Sequence, residues 1–545
     1  APSMQLGSRA SKKYSDPNAW HNQFYSLVTT KINEEIFKPL FPEGKKCGRP
    51  NASIRILVAM SALKEGFGCS DEDLFEKCEF DLLTRKALGM ELLTDVTPSI
   101  DTYYLFRRRI CEYQERTGID LMQLCFEQLA GNQVRLLKIS GKCVRMDSKL
   151  IGSNIARQSR YELIHTTLVK FLKTCTLSDL SPEQEERAKE YLKEDSSKTV
   201  YRSDSDTLQS NLARIGNFIM EMLATFPATS PAHDLLQRLF DEQYAVKDGK
   251  AVLRDKKEVK ADSLQNPNDP DATYRAKNDQ KVQGYVTNIT ETVEEGKPNI
   301  ITSVQVETAV FADCHFLQEA VENSERVTDS TIEDLYADGA YQSPDNREFA
   351  KNHNAMQLKT GKMQGGCRWE LIPHDEDGLT VREIATGNTY EAVKAVTKQG
   401  SRKRWRIPWN NKTGWRYFED KDIKAYQLRK QIESLPLEEQ HKRNNVEAAM
   451  FQYSFHTRKG KTRYRGLLKH RMHAYSRCMW MNLRRMVIFQ ISTFQRSIFA
   501  LFGPIREAFG SFKAISRKIF TSGADCYVSL RMTTLARLDS KYVPF

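Results

Sequence analysis

The spacing of apolar and polar positions changes period several times along this 545-residue chain. From residue 20 to 135 apolar residues recur at helical intervals, in runs such as SIRILVAMSALKEGFG and DEDLFEKCEFDLLTRKALGM. Gly48-Arg49-Pro50 marks a turn before the first run, where Ser53 is placed to cap; Thr97 or Ser99 is placed to cap the stretch TPSIDTYYLFRRRICEYQ. At Cys143-Val144-Arg145-Met146-Asp147 the period drops to two, which predicts a strand. Helical spacing returns from about 155 to 245, in RYELIHTTLVKFLKTC and DTLQSNLARIGNFIMEMLATF. Residues 246–280 are charged and broken by the turn cluster Asn266-Pro267-Asn268-Asp269-Pro270-Asp271. Two strands follow, QGYVTNITETV and NIITSVQVETAV, joined across Glu295-Gly296-Lys297-Pro298. A helix in FADCHFLQEAVENSER then leads to the strand DLYADG, which ends at Asp338.

With the helical block set aside, the order is strand, strand, strand, helix, strand. That order predicts an α/β chain with a ribonuclease-H-like core, an antiparallel trio followed by parallel additions. Short runs rich in Trp, Tyr, Thr and Val at 367–418 predict a small β-rich insertion. The expected division is a helical N-terminal DNA-end-binding domain at 1–135 and core segments at 136–154, 263–366 and 419–470. A helical insertion at 155–262, the β-rich insertion at 367–418 and a basic helical region at 471–545 complete it. Trp405, Trp409 and Trp415, set among arginines, either stack on nucleic acid or form the insertion's core.

Charge narrows the partner. Residues 441–520 hold 17 Lys and Arg against only Glu447 and Glu507, whereas the whole chain is only +12. The basic excess therefore sits at and beyond the helical stretch HKRNNVEAAMFQYSFH, which suits a polyanion. The arginines Arg107, Arg108 and Arg109 mark either a DNA-reading helix or a solvated face of a packing domain. No run of 18 apolar residues occurs and no secretion signal opens the chain, so a cytoplasmic protein with no membrane partner is expected. Eleven scattered cysteines, never spaced Cys-x-x-Cys, argue against a disulfide frame or a zinc site.

Three acids carry the chemistry. Asp147 and Asp338 end strands and Glu447 lies on a late helix, four residues after Arg443. Two strand carboxylates and one helical carboxylate can hold two divalent ions for phosphoryl transfer on nucleic acid. Magnesium suits such a set because it is hard, takes oxygen and keeps several waters; Mn²⁺ is expected to substitute. Arg443, one helical turn before Glu447, either orients that carboxylate or holds a phosphate, or is a plain intrahelical ion pair. Asp271 is the reserve acid, with a turn-forming role as its simpler explanation. Asp101, Asp313 and Asp334 lack supporting context.

In this order the motifs resemble the DDE transposases of bacterial insertion sequences, in the cut-and-paste group with a β-strand insertion before the third acid. Gly48-Arg49-Pro50 and Thr102 to Arg109 resemble that group's N-terminal domain, and Asp147-Ser148-Lys149 with Asn154 its first-acid segment. Ser263, Asp269-Pro270-Asp271-Ala272 and Gly284-Tyr285 resemble a middle block, and Ala337 through Ser343 the second-acid block. Arg443-x-x-x-Glu447 followed by Arg463-Tyr464-Arg465-Gly466 resembles the third. Two positions depart: Gln440 stands where a tyrosine is usual, and Ser454 where a lysine is usual, with Arg458, Lys459 and Lys461 following later. The resemblance implies cleavage at transposon ends and joining of the freed 3′-hydroxyl to target DNA, by a nucleoid-associated enzyme. It also implies a homodimer on paired ends of double-stranded DNA. DNA contacts are expected from Arg443, Arg458, Lys459, Lys461, Arg463, Tyr464 and Arg465, together with the three arginines at 107–109. The apolar density from His473 to Gly503 predicts a helix buried on several sides, by its own core or by a second copy. A related nuclease without strand transfer and a domesticated DNA-binding protein are the other function classes.

Overall fold

The computed structural model describes residues 6–41, 52–92, 94–228, 230–277, 280–360, 367–374, 378–395, 404–409, 414–434, 436 and 446–508. The helical front forms as its pattern requires. Ser70 and Asp73 make a reciprocal cap for the helix Asp71–Phe80, and Ser99 accepts from Thr102 N–H to start Ile100–Thr117. The helix Ile54–Phe67 ends at Gly68 with φ +66°, a left-handed cap that glycine adopts without a side-chain clash. Ser53 does not cap this helix with its side chain; its hydroxyl donates instead to Glu34 at 3.1 Å. Gly48-Arg49-Pro50 lies outside the described residues.

Thirteen strands occur among the described residues. In chain order they are β1 (Cys143–Gly152), β2 (Tyr244–Lys247), β3 (Lys250–Leu253), β4 (Thr273–Lys277), β5 (Gln280–Thr292), β6 (Ile301–Thr308), β7 (Asp334–Ala337) and β8 (Gln357–Thr360). The insertion adds β9 (Trp369–His374), β10 (Gly378–Glu383), β11 (Thr389–Ala395), β12 (Arg404–Trp409) and β13 (Gly414–Glu419). The fold is mixed α/β. In the main sheet β5 runs antiparallel to β1, and β6 antiparallel to β5; β7 is parallel to β1 and β8 to β7. β4 pairs with the first residues of β5, on the edge that β6 takes farther along. Alternation along β1 and β7 sends Val144, Met146, Leu335 and Ala337 into one core beneath the helix Leu317–Thr328. Ile151 turns the other way, into a larger core shared with the N-terminal helices and the long helix Leu467–Ala508.

The helical block between β1 and β2 runs from Arg160 to Gln243 and closes a core of its own, with Ile164, Leu168, Phe218, Ile219 and Leu236 fully covered. The hairpin of β2 and β3, and β4 after it, fall within the stretch that sequence alone leaves irregular. β9 to β13 form an antiparallel meander in sequence order, closed by the helix Asp420–Glu433 over Trp369, Leu371, Val381, Trp405 and Ile407.

In the long C-terminal helix the expected burial is seen over its first part, while the side chains of Phe494, Ile498, Phe499 and Phe502 lie outside the described residues. Met479, Trp480, Leu483, Met486 and Val487 are buried within their own chain. The Trp480 ring packs edge-on against Trp20 and Phe67. Among the described residues no helix is long and apolar enough to cross a membrane.

Candidate active site

The parallel pairing of β1 with β7 sets Cys143 against Asp334, Val144 against Leu335 and Arg145 against Tyr336. Two positions farther along, the same offset brings Asp147 level with Asp338. Both are out of step with the core residues Met146 and Ala337, so both carboxylates lie on the sheet face that carries the helix Val446–Ser454. Each uses one oxygen to accept from the next backbone N–H: Asp147 from Ser148 at 2.8 Å, Asp338 from Gly339 at 2.7 Å. The Asp147 carboxyl is pushed up to about 6, chiefly by burial; the Ser148 N–H opposes this and the charge of Asp338 adds to it. Below the pair, Tyr341 is fully buried and donates to Asn288 at 2.7 Å. Burial, then the charges of Asp147, Asp313 and Asp338, hold its phenol well above the usual range.

Glu447 is the second residue of the helix Val446–Ser454 and is exposed. Glu447, Met450 and Ser454 share one stripe of that helix. Met450 is buried and Ser454 accepts from the Lys149 ammonium at 2.8 Å, so the stripe turns toward β1. An ammonium therefore stands at Ser454 although it comes from β1. Among the described residues no three His, Cys, Asp or Glu side chains form a metal-holding group. The structure thus brings two of the three acids together and sets Glu447 at the helix's open end. Arg443 and Gln440 lie outside the described residues.

Most residues expected on DNA hold the chain together here. Arg463 donates to the carbonyls of Gly68, at 2.5 Å, and Cys69. Tyr464 is buried and donates to Glu65, while Arg107 lies 5.2 Å from the Tyr464 ring and 5.4 Å from that of Tyr103. Lys461 donates to Ile155 O at 2.6 Å and Arg465 to Asn154 O at 2.7 Å. This segment ties the helical front and β1 to the C-terminal helix. Arg458 and Lys459 stand exposed on a tight turn closed by Arg458 and Lys461. Arg108 is exposed 3.6 Å from Glu112, and Arg109 lies over the Phe41 ring at 5.5 Å. Farther on, Arg471 meets Glu307 at 2.5 Å and Arg485 meets the buried Glu291 at 2.7 Å. Arg471 and Arg485, at least, are therefore neutralised within the chain.

Asp271 accepts from Leu467 N–H at 3.3 Å, at the first residue of the C-terminal helix, which gives it a structural task. Asp269, which the sequence places only in a turn cluster and a middle block, is fully buried and accepts from Tyr285 at 2.5 Å and from Ser153. Asp313, which lacks supporting context in the sequence, is buried and held by Arg275 at 3.0 Å with Lys277 at 3.6 Å. Of the insertion's tryptophans Trp405 is core, whereas Trp415 is exposed under Arg406, 4.2 Å from the ring.

Residues 13–109 match the family model described as Transposase domain (DUF772). That stretch covers the helical front through Arg109 and supports a transposase, and so a DNA-processing enzyme, at that broad level. No curated protein and no solved structure matches the chain.

Proposed function

We propose that this protein is a DDE transposase that cuts DNA at transposon ends and joins the freed 3′-hydroxyl to a target duplex. The observation that carries the proposal is the parallel register of β1 on β7, which extended by two residues sets Asp147 beside Asp338, the residue just past β7, with the charge of Asp338 acting on Asp147. The transposase-domain match at 13–109 supports it independently. We take the core as ribonuclease-H-like, because its order β6-β5-β1-β7-β8 joins an antiparallel trio to two parallel strands.

The donor set fits a hard divalent cation: oxygen ligands only, two of them side by side, with Asp147 held up by burial and by its neighbour's charge. Asp147, Asp338 and Glu447 would hold two Mg²⁺, or Mn²⁺ in their place. When bound, the metals supply charge neutralisation and an activated oxygen nucleophile. The protein's own groups do the rest. Backbone N–H groups of Ser148 and Gly339 fix one oxygen of each aspartate, so the pair needs little reorganisation. The buried Tyr341, whose phenol feels the charges of Asp147 and Asp338, is fixed nearby by its bond to Asn288. Lys149, bonded to Ser454, ties the Glu447 helix to β1 two residues from Asp147. The exposed Arg458 and Lys459 are the DNA contacts favoured from the C-terminal segment. A homodimer on paired ends is the proposed working unit, and light scattering with terminal DNA would show two protomers per end pair.

The test is cleavage of the gene's own flanking inverted repeats by the purified chain in Mg²⁺. Asp338→Ala should bind the ends and leave them uncut. Full cleavage by that variant would refute the assignment.

A further inference from the structure

Beside Asp147 opens a cleft of about 200 Å³, lined by Ser148, Lys149, Arg275, Lys277, Gln280 and Asp313. Its lining carries three cations and one carboxylate. Arg275 and Lys277 are two residues apart on β4, so they project to the same side. Asp313, on the turn Asp313–Phe316, fixes both: Arg275 at 3.0 Å and Lys277 at 3.6 Å. Arg275 is further anchored by the Phe311 carbonyl at 3.1 Å. Lys149 enters from β1 and directs one N–H to Ser454. Asp313 is nearly inaccessible, at 3% side-chain exposure, while Lys277 is 46% exposed. The carboxylate thus aims cations at the opening without occupying it. Pockets for drug-sized ligands run to about 300–1,000 Å³, so this one suits an anionic group rather than a whole nucleotide.

We propose that this cleft is a phosphate seat, in which Lys277, Lys149 and Arg275 hold a backbone phosphate of the DNA whose neighbouring linkage lies at Asp147 and Asp338. The inference rests on the transposase proposal and adds residues to it. Its logic is charge placement. A strand entering the acid pair must bring its own negative charge against two carboxylates, and an adjacent cationic seat offsets that repulsion while fixing the register of the cut. Lys277 and Lys149 are phosphate-holding residues, and Asp313 is a positioning residue that acts through Arg275 and Lys277.

The experiment measures binding of the full chain to a short DNA duplex by fluorescence anisotropy across a salt series. Wild type, Lys277→Gln, Lys277→Arg and Lys198→Gln are compared, the last removing a charge from an exposed site on the helical insertion. Lys277→Gln should lower the slope of log K against log salt by about 0.9, the loss of one phosphate contact. Lys277→Arg should restore the slope, and Lys198→Gln should leave it unchanged. An unaltered slope in Lys277→Gln, with wild type binding normally, overturns the seat and leaves the transposase proposal standing. Failure of wild type to bind DNA at low salt overturns both. A third arm adds inorganic phosphate at matched ionic strength. Phosphate should displace DNA from wild type more readily than from Lys277→Gln; equal displacement from both proteins would mean that the DNA does not use the cleft and would overturn the DNA-backbone assignment.

Discussion

His473 Nδ1 lies 2.7 Å from a Glu65 carboxylate oxygen, joining the long C-terminal helix to the N-terminal helix Ile54–Phe67 in a nearly dry contact. Burial alone would raise the Glu65 carboxyl. The charge and hydrogen bond of His473, with Lys64 and the Tyr464 hydroxyl, outweigh it and bring Glu65 down to about 2 from an ordinary 4.5. A carboxyl depressed in the folded state contributes stability that is fully present above its unfolded value and lost as pH falls toward the folded one. Wild type should therefore lose melting temperature steeply between about pH 4.5 and 2. His470, pushed down to about 3 by burial and then by the charge of His473, starts the same decline from 6.5. Glu65→Gln should flatten the lower part of the curve and lower stability above about pH 4.5, because the depressed carboxyl and its linkage are gone. Parallel melting curves for the two proteins would contradict this.

Gly66 sits where the same two helices meet, against the Trp480 ring. A Cβ at this position would overlap the Trp480 ring. In an exposed helix Gly→Ala gains about 1 kcal/mol, so the sign of the effect separates propensity from packing. Gly66→Ala should destabilise by about 1–3 kcal/mol in urea unfolding, as overpacked cores do. A more stable variant would mean that the contact is looser than described.

What was legible in the sequence follows from which interactions are local. β1 and β7 could be read because buried strands alternate, although β1 runs on through Asp147 to Gly152 where the sequence suggested an end at Asp147, and β7 stops one residue before Asp338; the hairpin of β5 and β6 shows the same period around a turn. β4 could not, since Thr273–Lys277 is short, polar and an edge strand whose pairing with Gln280–Gly284 is what makes it a strand. Asp313 lacked context in the sequence for the same reason: its meaning depends on Arg275 and Lys277, which that pairing delivers. The basic run Lys461 to Arg465 looked like a DNA contact because its acceptors are carbonyls of Gly68, Cys69, Asn154 and Ile155, far away in the chain. Carbonyls carry no sequence signature. Trp405 and Trp415 differ only in which side of the meander they face, which the register of β12 on β13 sets.

Divalent metal should stabilise the fold through the acid pair. A ligand that binds only the native state adds about 2.7 kcal/mol at a hundred times its Kd. Melting in millimolar Mg²⁺ or Mn²⁺ should therefore exceed that in EDTA for wild type, and the increment should vanish in Asp147→Asn and in Asp338→Asn. Equal increments in all three proteins would place the binding elsewhere.

The central claim is that Asp147, Asp338 and Glu447 support both cutting and joining of DNA. The most direct measurement is a strand-transfer assay: purified protein, a labelled duplex bearing the gene's pre-cut terminal repeat, an unlabelled circular target and Mg²⁺. Wild type should covalently attach the labelled 3′-end to the target. Asp147→Ala, Asp338→Ala and Glu447→Ala should each bind the labelled end and yield no joined product. Joining by any one of these variants at the wild-type rate would contradict the claim, and wild-type cleavage of the intact end with no joining would make the protein a nuclease rather than a transposase.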